Sequence, residues 1–248
     1  MKIVRVNGPT RKGSTALSIA KALYSVKKNV VVFQSPHFRF CTERILYNGY
    51  TIDSKAWRKA HDKIRDQYQK FFSLALQIVL EICRQIRPDY LIAEAGIGSS
   101  NDLVSRLPID LEILTPVAVD HIEQLGSTRI AVLNEKIKSS RGRDIHFLGW
   151  PEEDFGLFLS DSLLSKTAKQ ELDKAAKTEE MQIRSISTAL RLSEQELKDA
   201  LNSPKFGRRM NIGERLWLDN AHNPSAIRGL EPFLLKNRIG SVIILNPK

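Results

Sequence analysis

Short apolar runs rich in β-branched residues alternate along the chain with longer stretches whose apolar positions recur every three or four residues. Lys2–Val6, Val30–Phe33, Tyr90–Glu94, Leu111–Val117, Arg215–Asp219 and Ser241–Leu245 read as strands. Between the first two, Ala16, Ile19, Ala20 and Leu23 fall on one face of a helix. A longer helical pattern runs from Ser54 to Arg87 and is stopped by Pro88. Its apolar set (Trp57, Ile64, Phe71, Phe72, Ala75, Ile78, Val79 and Ile82) is read as core. Ser193 with Glu196 forms a capping box that opens a helix over 192–202. Residues 141–180 are charged, with two helical patches and a break at Trp150-Pro151. The alternation predicts an α/β fold with a mostly parallel sheet flanked by helices.

Parallel sheets of this kind hold ligands at the carboxyl ends of their strands, and the polar residues here gather at those ends. The first strand runs into Asn7-Gly8-Pro9-Thr10-Arg11-Lys12-Gly13-Ser14-Thr15, which opens the first helix. Helix-start N–H groups attract anions, and Lys12 adds a full charge. A hydroxyl such as that of Ser14 can hold Mg²⁺. The loop departs from the common G-x-x-x-x-G-K-[ST] pattern: Arg11 precedes Lys12, Gly13 follows it, and Pro9 lacks an N–H donor. A plain strand-to-helix turn is the alternative reading of this segment alone. Ser35-Pro36-His37 follows the second strand, Glu94 ends the third, Asp120-His121 lies beyond the fourth, and Asp219 to Pro224 follows a later one.

Composition changes this picture little. The 248 residues are 42% hydrophobic and 27% charged, ordinary for a globular domain. No apolar run approaches the roughly 18 residues of a membrane span, and the start lacks the apolar region of a signal peptide. Cys41 and Cys83 lack metal-ligand spacing, so a cytoplasmic location is expected. The net charge of +10 favours anionic partners. The lysines and arginines are scattered, so solvated basic faces are preferred over a nucleic-acid interface, which stays a minor alternative.

Six motifs occur in a recognisable order. Asn7–Thr15 resembles a G-T-N-G-K-G-S-T loop, and Ser35-Pro36-His37, Glu43-Arg44-Ile45, Asn48-Gly49 and Ile52 resemble S-P-H…E-R-I…N-G…I. Glu94–Asp102 follows E-V-G-L-G-G-R-L-D in outline, and Val119-Asp120-His121 with Leu125-Gly126 resembles L-D-H…L-G. Glu135-Lys136 sits at an E-K-A-G-I position, and Gly207-Arg208 precedes Leu218–Pro224, similar to G-R…L-D-G-A-H-N-P. In this order the motifs resemble the folylpolyglutamate synthase/dihydrofolate synthase family of the Mur-ligase superfamily.

The resemblance implies a P-loop NTPase-like central ligase domain over residues 1–210, with 211–248 as the start of a C-terminal domain. It implies an ATP- and Mg²⁺-dependent ligase that joins L-glutamate to a pteroate or folate carboxylate through an acyl phosphate. Lys12, His121, Lys136, Arg208 and His222 would carry the chemistry, Lys136 matching a family lysine that can be carbamylated. Gly8, Thr10, Arg11, Lys12, Gly13, Ser14, Thr15, Arg208, Asp219, His222 and Asn223 would hold the nucleotide. Ser14, Glu94 and His121 would hold the metal. A partner chain or second copy would complete the C-terminal domain. The alternative is a catalytically weakened nucleotide-binding relative, because Pro9, Thr10 and Arg11 replace the family's Thr, Asn and Gly.

Overall fold

A computed structural model describes residues 1–65, 70–203, 209–213, 216–219, 227–228, 230–236 and 239. The chain divides into two compact units, Met1–Pro204 and Lys205–Lys248. In the first, strands β1 (Lys2–Asn7), β2 (Val30–Phe33), β3 (Ile45–Tyr47), β4 (Tyr50–Thr51), β5 (Tyr90–Glu94), β6 (Leu111–Leu114) and β7 (Ile145–Phe147) form one sheet in the order β4-β3-β2-β5-β1-β6-β7. The pairs β2·β5, β5·β1, β1·β6 and β6·β7 are parallel. The pairs β2·β3 and β3·β4 are antiparallel, so β3 runs against the rest of this sheet. The expected mostly parallel sheet is therefore present, with a hairpin on one edge.

The central strands are apolar on both sides because helices cover both faces. Val4, Val6, Val32, Ile92 and Ile113 pack with Ile19 and Leu23 of α1 (Lys12–Ser25), Ile186 of α8 (Glu179–Leu190) and Leu197 of α9 (Glu194–Asn202). Ile3, Val31, Phe33, Leu91 and Ala93 pack on the other face with Trp57 of α2 (Ser54–Ile64) and Ile78 and Val79 of α3 (Phe71–Ile86). A third cluster joins Leu114 and Phe147 to α5 (Arg129–Ser139), α6 (Glu152–Leu159) and α7 (Lys166–Lys174), with Trp150 at its centre. Trp150 meets Phe147 edge-on and donates its indole N–H to the Leu114 carbonyl at 3.0 Å. A four-residue helix, α4 (Ile122–Leu125), precedes α5.

The single long helix expected over 54–87 is instead two. Lys70 is extended and caps α3, so α2 does not run into α3. The Ser54 end is capped by Asp53, and the other end stops at Arg87, whose left-handed backbone (φ 53°) precedes Pro88. The Ser193–Glu196 capping box is present at α9. The β3–β4 hairpin turns on Asn48 and Gly49, both at positive φ. Strand β6 extends only to Leu114, short of the expected Val117.

In the second unit β8 (Arg209–Gly213) pairs antiparallel with β9 (Leu216–Asp219), and helix α10 (Glu231–Lys236) follows. Trp217 meets Phe233 edge-on at 5.1 Å. The expected strand 241–245 lies outside the described residues.

Candidate functional site

The loop from Asn7 to Thr15 leaves the central strand β1 and enters α1. Gly8 stands at φ 132°, and a Cβ there would lie 2.1 Å from the Thr115 hydroxyl. The loop can take this path only with glycine at that position. Thr115 donates its hydroxyl to the Thr10 carbonyl at 2.5 Å, and its N–H to the Asn7 carbonyl at 2.9 Å. The Thr10 hydroxyl donates in turn to the Pro116 carbonyl at 3.1 Å. The segment after β6 thus clamps one side of the loop.

Arg11 caps α1 in the left-handed region, at φ 60° and ψ 3°. Where the resembling family has glycine, this chain carries a cation with its side chain exposed. Ser14 donates its hydroxyl to the Arg11 carbonyl at 3.0 Å, which occupies the proton and leaves the oxygen lone pairs available. The first-turn amides of α1 have no carbonyl within the helix to receive them, which is the basis of anion attraction at helix starts.

A second lysine lies behind the loop. Lys136, on α5, is 1% exposed and donates its ammonium group to the Ile97 carbonyl. Burial, then Lys12, then Arg5, hold its pKa well below the ordinary lysine range, while Asp102 and Asp120 work in the opposite direction. Lys136 thus feels charges of both signs. Gly98 presses on it: a Cβ there would lie 2.1 Å from the Asn7 side-chain oxygen and 2.6 Å from the Lys136 nitrogen. Asp102 holds this loop by accepting the Gly98 and Val104 N–H groups, each at 2.8 Å.

Glu94 ends β5 beside Val6 in the strand register. Ile92, two residues earlier, packs with α1, so strand alternation puts the buried Glu94 carboxylate on the α1 face. It accepts the Ser35 N–H at 2.9 Å. His121 lies apart from such burial: it caps α4 at φ 49°, with its side chain 39% exposed and its ring 3.9 Å from Asp120. Among the described residues no three His, Cys, Asp or Glu side chains gather as a metal cluster.

His37 and Glu43 shape the neighbouring loop. Arg44 donates to His37 at 2.9 Å and lies 4.8 Å over the Phe71 ring. Burial, then Arg44, lowers the His37 pKa, with Glu43 opposing. Glu43 accepts the N–H groups of Phe38, Arg39 and Phe40. In the second unit, Asp219 ends β9. Arg208, His222 and Asn223 lie outside the described residues.

Thr115, Asn7 and Ser139 contribute to the site without being legible as functional from their residue types. Thr115 falls inside what reads as a strand, and only the early end of β6 at Leu114 frees it to reach the loop.

A mostly parallel sheet with helices on both faces, whose central strand runs through a glycine-containing loop into α1, defines the class: an α/β domain of the kind that holds ligands at strand ends. The comparisons with known proteins narrow this. No protein-family model matches the chain. It is similar to the dihydrofolate synthase/folylpolyglutamate synthase of Escherichia coli, 27% identical over 154 residues that cover 60% of this chain. That match spans only 36% of the relative's length. The structure of E. coli FolC in complex with DHPP and ADP superposes with a TM-score of 0.72 at 20% identity, covering 98% of this chain and 66% of that one. A bifunctional folylpolyglutamate synthase/dihydrofolate synthase with Mn, AMPPNP and L-glutamate bound gives 0.70 at 22% identity, covering 95% and 66%. The motif resemblance and the expected fold are both borne out. No helix among the described residues is long and apolar enough to cross a membrane.

Proposed function

We propose that the chain is an ATP- and Mg²⁺-dependent carboxylate–amine ligase that joins L-glutamate to a pteroate or folate carboxylate. The observation that carries this reading is the loop that leaves the central strand, is clamped by Thr115 and opens α1 at Lys12. A lysine at a helix start, with Arg11 beside it, suits a polyphosphate, whose negative charge the two would offset. The similarity to folate-glutamate ligases, whose solved relatives hold ADP with DHPP, or AMPPNP with Mn and L-glutamate, supports the same substrates here.

The residues present fit the implied nucleotide and metal. The Ser14 oxygen and the buried Glu94 carboxylate are hard ligands of the kind magnesium takes, and His121 would hold it or orient its water. Bound magnesium would neutralise phosphate charge during phosphoryl transfer. Gly8 admits the close backbone path, Lys12 orients the phosphates, and Arg11 supplies the charge that compensates for the donor missing at Pro9. Burial lowers the Lys136 pKa, the direction that favours carbamylation. Arg208, Asp219, His222 and Asn223 would complete the nucleotide contacts, with a partner chain or second copy supplying the rest of the C-terminal domain.

A second reading, a nucleotide-binding relative without turnover, is favoured by the left-handed arginine in the loop. Titration calorimetry with ATP, with and without Mg²⁺, followed by turnover with pteroate and glutamate, separates the two. The ligase reading expects magnesium-dependent binding, a loss of about tenfold or more in Lys12→Ala from the missing charge–phosphate contact, and turnover. Binding without turnover supports the second reading. Absence of ATP binding overturns both.

A further inference from the structure

Behind the loop lies a buried polar chain that neither the motifs nor the proposed chemistry uses. Ser139, on α5 one turn beyond Lys136, is fully buried, and its hydroxyl makes every bond it can. It accepts from Asn7 Nδ2 at 3.0 Å and from Arg5 Nη2 at 3.2 Å, and donates to the Lys136 carbonyl at 2.7 Å. Asn7 uses both ends of its amide. Its nitrogen reaches Ser139, and its oxygen accepts the Gly8 N–H at 2.8 Å. One continuous path therefore links the first peptide of the loop to the helix turn that carries Lys136.

We propose that Asn7 and Ser139 are positioning residues, a joint that sets the phosphate loop at a fixed separation from the turn of α5 that carries Lys136 and so holds the loop in shape for an anion. The contrast within the cluster supports the assignment. At its periphery Arg5 Nε and Glu112 Oε2 have no partner, whereas the Asn7–Ser139 joint is complete. Groups that only filled the core would have no reason to concentrate their bonds on the link to Gly8. Gly98 closes the joint from above, its Cα hydrogen facing both Asn7 and Lys136. The anion-holding part of the inference rests on the ligase reading, and the mechanical part does not.

The test is amide hydrogen exchange across residues 7–15, with MgATP affinity measured alongside, in Ser139→Ala, Ser139→Thr, Asn7→Ala and the Asn7→Ala/Ser139→Ala double variant. Ser139→Ala is expected to speed loop exchange at least severalfold relative to β5, which reports general loosening, and to weaken MgATP about tenfold. Ser139→Thr, which keeps the hydroxyl, restores both. The double variant does no more damage than Asn7→Ala alone, as expected of two residues in one path. If Ser139→Ala does not fold, Asn7→Ala read by exchange at Ile97–Asp102 and at Lys136–Ser139 puts the same question from the loop end. Loop exchange unchanged relative to β5, or strictly additive effects, overturns the proposal. Altered loop exchange in a protein that binds no ATP supports the joint and removes the ligase reading.

Discussion

Arg5 and Glu112 stand opposite one another in the register of β1 and β6, guanidinium to carboxylate 2.7 Å apart, with both side chains shut off from water. Asp102 approaches the same guanidinium at 3.8 Å. Taking away one member strands the other in a low-dielectric core, so Arg5→Met or Glu112→Leu alone should cost about 3–5 kcal/mol. The double Arg5→Met/Glu112→Leu variant should cost less than either single change, because the burial penalty leaves with the pair. Equilibrium urea unfolding of the three variants measures this directly.

Two carboxylates give pH dependences of opposite sign. Burial pushes Glu112 up to about 7, with Arg5 and Arg143 opposing. From pH 4.5 to 7 the folded chain therefore keeps a proton that the unfolded chain has released. Stability contributed by this group falls as pH rises through that window, by at most about 1.4 kcal/mol per pH unit. Glu81 behaves in reverse: hydrogen bonds from Lys63 and Arg84 draw it down to about 2. Its contribution is present above pH 4.5 and lost as pH falls toward 2. Unfolding midpoints across pH should lose the first slope in Glu112→Gln and the second in Glu81→Gln.

Gly98 and Gly142 separate crowding from backbone strain. Both have positive φ, 73° and 78°, but a Cβ at Gly98 collides with Asn7 and Lys136, whereas at Gly142 it meets nothing within 4 Å. Gly142→Ala should cost about 1 kcal/mol from its left-handed backbone. Gly98→Ala should cost about 1–3 kcal/mol more from overpacking and weaken MgATP binding as well. Chemical denaturation together with nucleotide titration checks both halves.

Arg11→Gly should leave stability nearly unchanged. Relief of the left-handed backbone is worth about 1 kcal/mol, and the added freedom of glycine in the unfolded chain takes back about 0.5–1 kcal/mol. Affinity for MgATP should nevertheless fall severalfold, because the guanidinium charge is gone. Thermal unfolding and calorimetry on the same samples distinguish the two effects.

The strands that build the site were legible because each is buried on both faces and so reads as an unbroken apolar run, Val30–Phe33 being the clearest. The loop was legible from Gly8, Lys12 and Ser14, and Glu94 from its place at a strand end. The hairpin escaped notice because Asn48-Gly49 stood out as part of a motif rather than as a turn, and β7 is only three residues long. Continuity across residues 65–70 was overestimated because apolar spacing resumes at Phe71 and Phe72 as though no break intervened. Ser139 and Thr115 could not be found this way. A serine near a helix end and a threonine after a strand are commonplace, and their roles arise only when β1, β6 and α5 come together.

The two-residue strand β4 has a consequence for how this molecule behaves among its own copies. An open parallel sheet offers its outermost backbone groups to any neighbouring chain. Here that margin is a two-residue stub, so a stranger can make only a few ladder bonds before the template ends, which disfavours edge-to-edge aggregation on that side.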